Sequence, residues 1–175
     1  MSSVHRHRHH DPSKNLVGFV VGEVEYAVHI ARVKEIANPL DVVALPHPPP
    51  AVVGVADYRG EVVPVVDLRT RFGLPSAVVT RRTKWIVVDA AGRLVAIVVD
   101  AVTEVFGTGG AELRAAPPLS SGEDIRGIAG VANHGKALVF VLDIVRLRDL
   151  TDPLAASGKI GPSAPPASLP SGAPT

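Results

Sequence analysis

Short apolar runs rich in valine alternate with glycine- or proline-containing turns along most of the chain between residues 17 and 150. Runs of this kind, bounded by turn residues, are typical of β-strands. Two pairs of runs are separated by a few turn residues and predict hairpins, namely 17–21 with 26–30 and 85–88 with 94–99. Further strands are predicted at 62–66 and 136–142. The pattern therefore predicts a mainly β protein built from short strands.

Three short stretches depart from the strand pattern and predict helical segments: 30–36, 68–72 and 144–150. Pro64 lies inside the strand 62–66 and lacks the N–H group that a ladder hydrogen bond needs. This strand is therefore predicted at a sheet edge or at a bulge. The proline-rich stretch 46–50 predicts a stiff loop, because proline cannot continue a helix or a central strand.

The second half of this region nearly repeats the first. The matched pairs, in chain order, are 26–28 with 95–97, 33–36 with 102–105, 54–56 with 127–129 and 65–68 with 141–144. The order is kept and only the loop lengths differ. Two copies of a unit with about five strands predict two similar barrels, since closing a sheet removes its exposed edges.

Composition narrows the class of protein. The chain is 46% hydrophobic and 20% charged, with a formal net charge of +1. This balance suits a globular protein and gives no whole-chain electrostatic basis for binding nucleic acid or an anionic membrane. No apolar run approaches the roughly 18 residues of a membrane span. Because cysteine is absent, disulfides and thiol chemistry are excluded, which is compatible with the cytoplasm.

Two tails flank the repeat and are predicted to be disordered. Residues 1–14 are polar and rich in histidine and arginine, and residues 151–175 consist mostly of Pro, Gly, Ala and Ser. Neither can bury enough apolar surface to offset its conformational entropy. One folded domain, made of two interleaved barrel halves, is predicted over residues 15–150.

Four apolar runs end in aspartate, and these residues are Asp67, Asp89, Asp100 and Asp143. A pair of them could act as general acid and base. We favour a structural interpretation, in which each carboxylate binds the backbone amides of a turn, because the feature recurs in both halves. A nucleophile elbow, a Walker-type loop and a dinucleotide fingerprint are all absent from the sequence. The sequence therefore predicts a protein that is not an enzyme and needs no cofactor.

Clusters of basic and imidazole side chains are weak candidates for other sites. His5, His7, His9 and His10 could ligate a transition metal, but a flexible tail offers no preformed geometry, so we predict no metal site. Residues 81–84 form a short basic run with only one adjacent aromatic residue. A solvated loop explains that run better than nucleic-acid binding does.

The segment from Gly54 to Gly60 is the strongest candidate for a binding loop. Glycine permits unusual backbone angles or close approach, and Tyr58 and Arg59 are of the types that most often dominate protein interfaces. The matched turn in the second half carries no arginine. Because the shared fold cannot explain a feature of one copy alone, we favour a partner-facing loop.

The order and spacing of several of these segments resemble the CheW family of bacterial chemosensory adaptors. The matching stretches are 26–30 running into 33–36, the proline-rich loop 46–50, the segment 54–60, the strand 62–68 and residues 98–102. The resemblance covers about residues 17–150. It implies a CheW-like fold, mainly all-β, with two five-stranded SH3-like β-barrels around a shared hydrophobic core and short helical segments.

The resemblance also implies an adaptor that couples methyl-accepting chemoreceptors to the histidine kinase CheA. In this family a groove between the barrels takes the cytoplasmic tip of the receptor, and the regulatory domain of the kinase docks end-on against barrel surfaces. By position, the implied receptor-binding residues are Val33, Gly54, Arg59, Trp85, Val102 and Val105. Kinase-binding residues are not assigned. The implied location is the cytoplasm, at receptor arrays on the inner membrane.

One motif departs from the family pattern. Where the family usually has Asn-Leu-Arg-Gly, this chain has Asp57-Tyr58-Arg59-Gly60, and the added carboxylate and phenol are expected to affect receptor recognition. Alternative functions are a regulator that binds receptor but not kinase, an enzyme that uses the strand-end aspartates, and a β module with an enclosed ligand pocket.

Overall fold

A computed structural model describes residues 14–108, 113–115 and 127–156 of the chain. Within these ranges the chain forms short strands and two helices. In chain order they are β1 (Leu16–Val21), β2 (Val24–His29), β3 (Val33–Ala37), β4 (Val52–Tyr58), β5 (Glu61–Asp67), α1 (Leu68–Arg71), β6 (Lys84–Asp89), β7 (Leu94–Val99), β8 (Ala101–Phe106), β9 (Ile128–His134), β10 (Ala137–Leu142) and α2 (Ile144–Ala156). The described residues include no helix long and apolar enough to cross a membrane.

Both predicted hairpins are present, as β1–β2 and β6–β7. The helix predicted at 30–36 is wrong beyond its first residues. Only Ile30–Arg32 form a 3-10 turn, and the following residues form β3, which pairs with β6. The cross-strand partners in β6, which follow about fifty residues later along the chain, fix this segment as a strand and override the local pattern.

The ten strands form two five-stranded sheets that are related by the repeat. The first, barrel A, has the order β8-β1-β2-β10-β9, and the second, barrel B, has the order β3-β6-β7-β5-β4. If β1–β5 and β6–β10 are the two copies, each barrel takes two strands from one copy and three from the other. The two copies therefore exchange strands, and neither barrel is built from one copy alone.

The segment after each edge strand closes its barrel. Beyond β3, Val43 pairs with Val55 of β4 through two backbone hydrogen bonds of 2.8 and 3.0 Å, and beyond β8, Arg114 pairs with Val131 of β9 in the same way. These matched contacts correct the alignment of the repeat. Gly54 corresponds to Gly130, three residues beyond the position that the sequence comparison indicated.

Pro64 lies in an interior strand, so its predicted edge position is wrong. In barrel B, β5 pairs with β4 on one side and with β7 on the other. Opposite Pro64, Val55 directs both its N–H and its C=O to Val43, so the pair needs no N–H from the proline. The pairing with β7 begins only at Val65. The bulge in this ladder lies on β4 instead, between Val52 and Gly54.

Alternate residues of each strand point to different parts of the core. Along β6, Trp85 and Val87 pack inside barrel B, whereas Ile86 and Val88 join a shared core between the barrels. Barrel A has its own interior cluster. The predicted shared core is therefore present, and it is formed by the faces of the two barrels that point toward each other.

The helix α2 extends beyond its predicted end. Its last residues lie in the stretch 151–156, which was predicted to be a disordered tail. The side chain of Thr151 is almost fully buried and donates a hydrogen bond to the carbonyl of Arg148, and Asp152 pairs with Arg93 at 3.1 Å. These contacts anchor the last turns on the fold. The predicted head, apart from Lys14, and residues 157–175 lie outside the described residues.

Candidate functional site

The edge strands β3 and β8 place apolar side chains on the barrel faces that point toward the shared core. Directly paired residues in an antiparallel ladder point to the same face. Val33 pairs with Val88 of β6, and Val102 pairs with Phe19 of β1. Both of these partners belong to the shared core. Val33 and Val102 are half-buried against that core and lie at matched positions of the repeat.

Two more side chains, which are more exposed, lie on the same faces of β3 and β8. Val105 pairs with Val17, and Ile36 pairs with Ile86, so both also lie on the faces that point toward the shared core. Val105 is 49% exposed and Ile36 is 40% exposed. Ile36 was missing from the sequence-based set, although the 69-residue shift places it on Val105. We call Val33, Ile36, Val102 and Val105 the groove strips.

Arg59 lies at the tip of the β4–β5 hairpin, beside β3. Arg59 and Gly60 both have positive φ, at 54° and 84°, in the two-residue turn that joins Tyr58 to Glu61. The carboxylate of Asp57 accepts a hydrogen bond of 2.7 Å from the N–H of Gly60 and fixes this turn. The Arg59 side chain is 73% exposed, and its Nη2 lies 2.7 Å from Oε2 of Glu35. The turn therefore presents to solvent a guanidinium group that is held by its ion pair with Glu35.

Tyr58 binds the same carboxylate oxygen. Its hydroxyl donates a hydrogen bond of 2.5 Å to Oε2 of Glu35, and the Arg59 guanidinium carbon lies 5.5 Å from the centre of its ring. Glu35 is on β3 and Tyr58 is on β4, and these are the two edge strands of barrel B. The three side chains therefore join the two edges of the barrel beside one groove strip.

The hydrogen bond to Glu35 raises the pKa of Tyr58, with a smaller contribution from burial, while the positive charge of Arg59 opposes the shift. We expect Glu35→Gln to lower the pKa of Tyr58 toward its ordinary value. Burial raises the pKa of the other tyrosine, Tyr26, so that residue serves as an internal control. An ultraviolet titration of the two phenols measures both. If Glu35→Gln leaves both titrations unchanged, the Tyr58–Glu35 bond does not form in solution.

Barrel A joins its edge strands at the matched position with different groups. His134 occupies the place of Tyr58 in the β9–β10 hairpin. Its Nε2 lies 3.3 Å from Oε1 of Glu104 on β8, and its ring stacks on Phe106 with 4.0 Å between the centroids. Glu104 matches Glu35 in the repeat. The turn residue that matches Arg59 is Gly135, so the exposed arginine belongs to barrel B alone.

Two of the six predicted site residues lie away from the groove strips. Gly54 lies under the closing segment, where a Cβ atom would come within 2.3 Å of the carbonyl oxygen of Val43. Trp85 is only 3% exposed and packs inside barrel B. The structure therefore places Val33 and Arg59 on or beside β3, and Val102 and Val105 on β8. Gly54 and Trp85 instead lie where they shape barrel B.

Comparison with known protein families bears on this arrangement. The model of the CheW-like domain matches residues 15–151, a range that contains the whole repeat. The chain belongs to the CheW family.

Relatives within the CheW family match over most of their length. A probable chemotaxis protein CheW of Rhizobium etli is 29% identical over 143 residues, which cover 82% of this chain and 92% of that protein. The chemotaxis protein CheW of Klebsiella aerogenes is 30% identical over 129 residues, covering 74% and 78% respectively. The crystal structure of the scaffolding protein TtCheW from Thermoanaerobacter tengcongensis matches with a TM-score of 0.68, 26% identity, and coverage of 74% of this chain and 88% of that one.

Membership in the CheW family decides the class of function. CheW proteins are non-enzymatic chemotaxis scaffolds, so the predicted fold, adaptor class and absence of catalysis are confirmed. The aspartates at the strand ends have the structural role that we favoured. Their carboxylates accept hydrogen bonds from turn or cap amides of Arg69, Gly92, Gly22 and Val145. The amide of Gly92, aided by Lys34, lowers the pKa of Asp89.

The cluster at His5, His7, His9 and His10 lies outside the described residues. Across the residues that are described, no group of three or more histidine, aspartate or glutamate side chains is placed to hold a metal ion.

Proposed function

We propose that this chain couples the cytoplasmic tip of a methyl-accepting chemoreceptor to the regulatory domain of a CheA-type histidine kinase. In this proposal the receptor tip lies against the groove strips and Arg59. One observation carries this proposal. The edge strands β3 and β8 expose apolar side chains on the faces that point toward the shared core, and the Arg59 guanidinium group lies beside β3. The adaptor would act in the cytoplasm, at receptor arrays.

The groove strips supply apolar contact area. Ile36 and Val105 are about half exposed in the free chain. Covering an aliphatic side chain completely contributes roughly 1.5–3 kcal/mol, and these partly covered residues would contribute about half of that each. Val33 and Val102 line the same faces nearer the shared core. A receptor helix with aliphatic side chains is therefore the kind of partner that this surface fits.

Arg59 supplies direction and specificity. A guanidinium group carries five N–H donors, and the contact with Glu35 leaves donors that point to solvent. These can bind a receptor carboxylate or a backbone carbonyl. Tyr58 and Glu35 hold the arginine in place, which lowers the conformational entropy that it loses on binding.

Coupling needs no chemical step. If the adaptor binds receptor and kinase together, it fixes the kinase relative to the receptor. A change in the receptor then biases the kinase between two states. Gly54 and Trp85 contribute indirectly, because they set the shape of barrel B that presents β3 and the β4–β5 turn.

Co-sedimentation tests this proposal. The protein is mixed with assembled receptor-tip fragments and CheA, and the pelleted fraction of each component is measured. We expect the wild-type chain to pellet with both. Ile36→Glu and Val105→Glu are each expected to lower receptor binding about tenfold or more, because they place a charge in an apolar contact.

Leu138→Glu is the matched control. Leu138 is an exposed aliphatic residue on β10, outside the groove strips, and its substitution is expected to leave receptor binding unchanged. Equal losses in all three variants would contradict the assignment of the groove. Binding to receptor without CheA would instead indicate a receptor-only regulator, and binding to neither partner would refute the proposed function.

A further inference from the structure

The chain crosses from barrel B to barrel A at a single residue. The strand β7 ends at Val99 and β8 begins at Ala101, so Asp100 alone joins them. The N–H of Asp100 donates a hydrogen bond of 3.0 Å to the carbonyl of Val20 on β1. Because β8 carries two of the four residues of the groove strips, the position of Asp100 determines where that side of the groove begins.

The carboxylate of Asp100 binds one group from each barrel. Its Oδ2 accepts a hydrogen bond of 2.7 Å from the N–H of Gly22, in the β1–β2 turn of barrel A. The same oxygen lies 2.5 Å from Nη1 of Arg69, on α1, which packs against β7 and β5 of barrel B. The Arg69 and Asp100 side chains are only 22% and 28% exposed. Their charge-assisted hydrogen bond is therefore better shielded from solvent than an ordinary surface ion pair.

Arg69 also fixes a short segment that reaches from one barrel to the other. We call residues 68–75, which follow β5, the inter-barrel strap. Nε of Arg69 donates a hydrogen bond of 2.8 Å to the carbonyl of Pro75, so its side chain spans the strap from the second residue to the last. Between them, the ring of Phe72 stacks on Tyr26 of β2 with 4.7 Å between the centroids. The strap therefore begins on barrel B and packs on barrel A.

The matched crossing, from barrel A to barrel B, is built differently. There β2 and β3 are joined by the 3-10 turn Ile30–Arg32, and the 69-residue shift places Ala31 on Asp100. Alanine cannot form an ion pair. The helix α2 does reach barrel B, through Asp152 and Arg93 at 3.1 Å, but this contact is more exposed and lies at the other end of β7. Arg69 and Asp100 therefore brace only the crossing that leads into β8.

We propose that Arg69 and Asp100 are positioning residues for the receptor groove, because their ion pair fixes barrel A against barrel B and so sets the separation of the groove strips on β3 and β8. This inference rests on the proposed receptor binding. A receptor helix that contacts both strips needs them at one separation. A chain that holds this separation only part of the time binds more weakly in proportion. Neither residue belongs to the groove strips, so both act through β8 and not by contact with the receptor.

The distance between two spin labels tests the positioning role directly. Because the chain has no cysteine, Glu61→Cys and Lys136→Cys introduce labels at two exposed positions only, one in each of the hairpins β4–β5 and β9–β10. Pulsed electron spin resonance then measures the distance between the barrels. We expect one narrow distribution in the labelled parent chain. In Asp100→Asn, which removes the charge and keeps the size of the side chain, the distribution should become about twofold broader or shift.

The receptor affinity of the unlabelled chain is the second readout. Asp100→Asn and Arg69→Gln are each expected to weaken binding of the receptor-tip fragment about tenfold, which corresponds to about one tenth of the chains holding the competent arrangement. The double variant should bind no more weakly than either single variant, because both substitutions remove the same ion pair.

Asp143→Asn is the matched control. Asp143 is another aspartate at a strand end, but its carboxylate accepts a hydrogen bond from Val145 and pairs with Arg146 within its own segment. Its substitution is expected to leave the label distance and the receptor affinity unchanged. Urea unfolding identifies conditions in which every variant is folded, so that a lower stability by itself does not change the measured affinity.

An unchanged label distance in Asp100→Asn would overturn the proposal, and so would additive losses of receptor affinity in the double variant. Equal losses in Asp143→Asn would assign the effect to general destabilisation and also overturn it. A wild-type chain that binds no receptor would refute the proposed function instead. In that case a broader label distance in Asp100→Asn would still support the role of the ion pair in fixing the barrels.

Discussion

Arg59→Ala is expected to weaken binding of the receptor-tip fragment by about tenfold to a hundredfold while leaving CheA binding unchanged. Arginine is among the residues that dominate interface energies, and truncating a charged partner also leaves Glu35 without its ion pair. The variant removes a side chain that is 73% exposed, so the folded core is not disturbed. Co-sedimentation with receptor and with CheA separately measures the two affinities.

Two matched variants separate the guanidinium group from the turn. Asparagine tolerates positive φ, which Arg59 adopts, so Arg59→Asn keeps the turn and removes the charge. It should lose receptor binding as alanine does. Arg59→Lys keeps the charge but not the planar guanidinium group, and it should lose part of the receptor binding. Wild-type binding by Arg59→Asn would show that the turn itself, and not the guanidinium group, is recognised.

Gly54→Ala is expected to lower the free energy of unfolding by about 2–4 kcal/mol. The new Cβ would lie 2.3 Å from the carbonyl oxygen of Val43 and 2.6 Å from Cγ1 of Val42. The carbonyl cannot move away freely, since Val43 is held to Val55 by two backbone hydrogen bonds. The substitution therefore opens the contact that closes barrel B. Urea unfolding measures the loss.

Gly60→Ala provides the control for this substitution. A Cβ at Gly60 would have no heavy atom within 4 Å, but the residue has a φ of 84°. Its replacement should cost only about 1 kcal/mol of backbone strain. Gly130→Ala tests the matched contact in barrel A, where the Cβ would lie 2.7 Å from the carbonyl of Arg114. A cost for Gly54→Ala no larger than that for Gly60→Ala would contradict the role assigned to the closing segment.

The sequence was sufficient for those parts of the fold that depend on local pattern. The hairpins β1–β2 and β6–β7 follow from apolar runs with a short turn between them, and α1 begins where Asp67 caps it. The strand β3 and the interior position of Pro64 depend on partners that are distant in sequence. Local propensity does not identify those partners, which is why both predictions were wrong.

The candidate site could be predicted only in part. Arg59 stood out because the second copy lacks it, and Val33, Val102 and Val105 came from the family resemblance. Ile36 could have been found from the repeat, which places it on Val105. The contact of Tyr58 and Arg59 with Glu35 joins residues more than twenty positions apart. It depends on how barrel B closes, which no local pattern encodes.

Because the copies exchange strands, all strands of barrel B lie between β2 and β8 of barrel A along the chain. All strands of barrel B lie in the continuous stretch 33–99, whereas barrel A combines β1 and β2 with β8, β9 and β10. During synthesis, barrel B can therefore close while the last strands of barrel A are still being made. The β1–β2 hairpin can pair with β8 earlier, but its pairing with β10 must wait for Phe140 and Val141. We therefore expect the barrel that carries Arg59 to close before barrel A is complete.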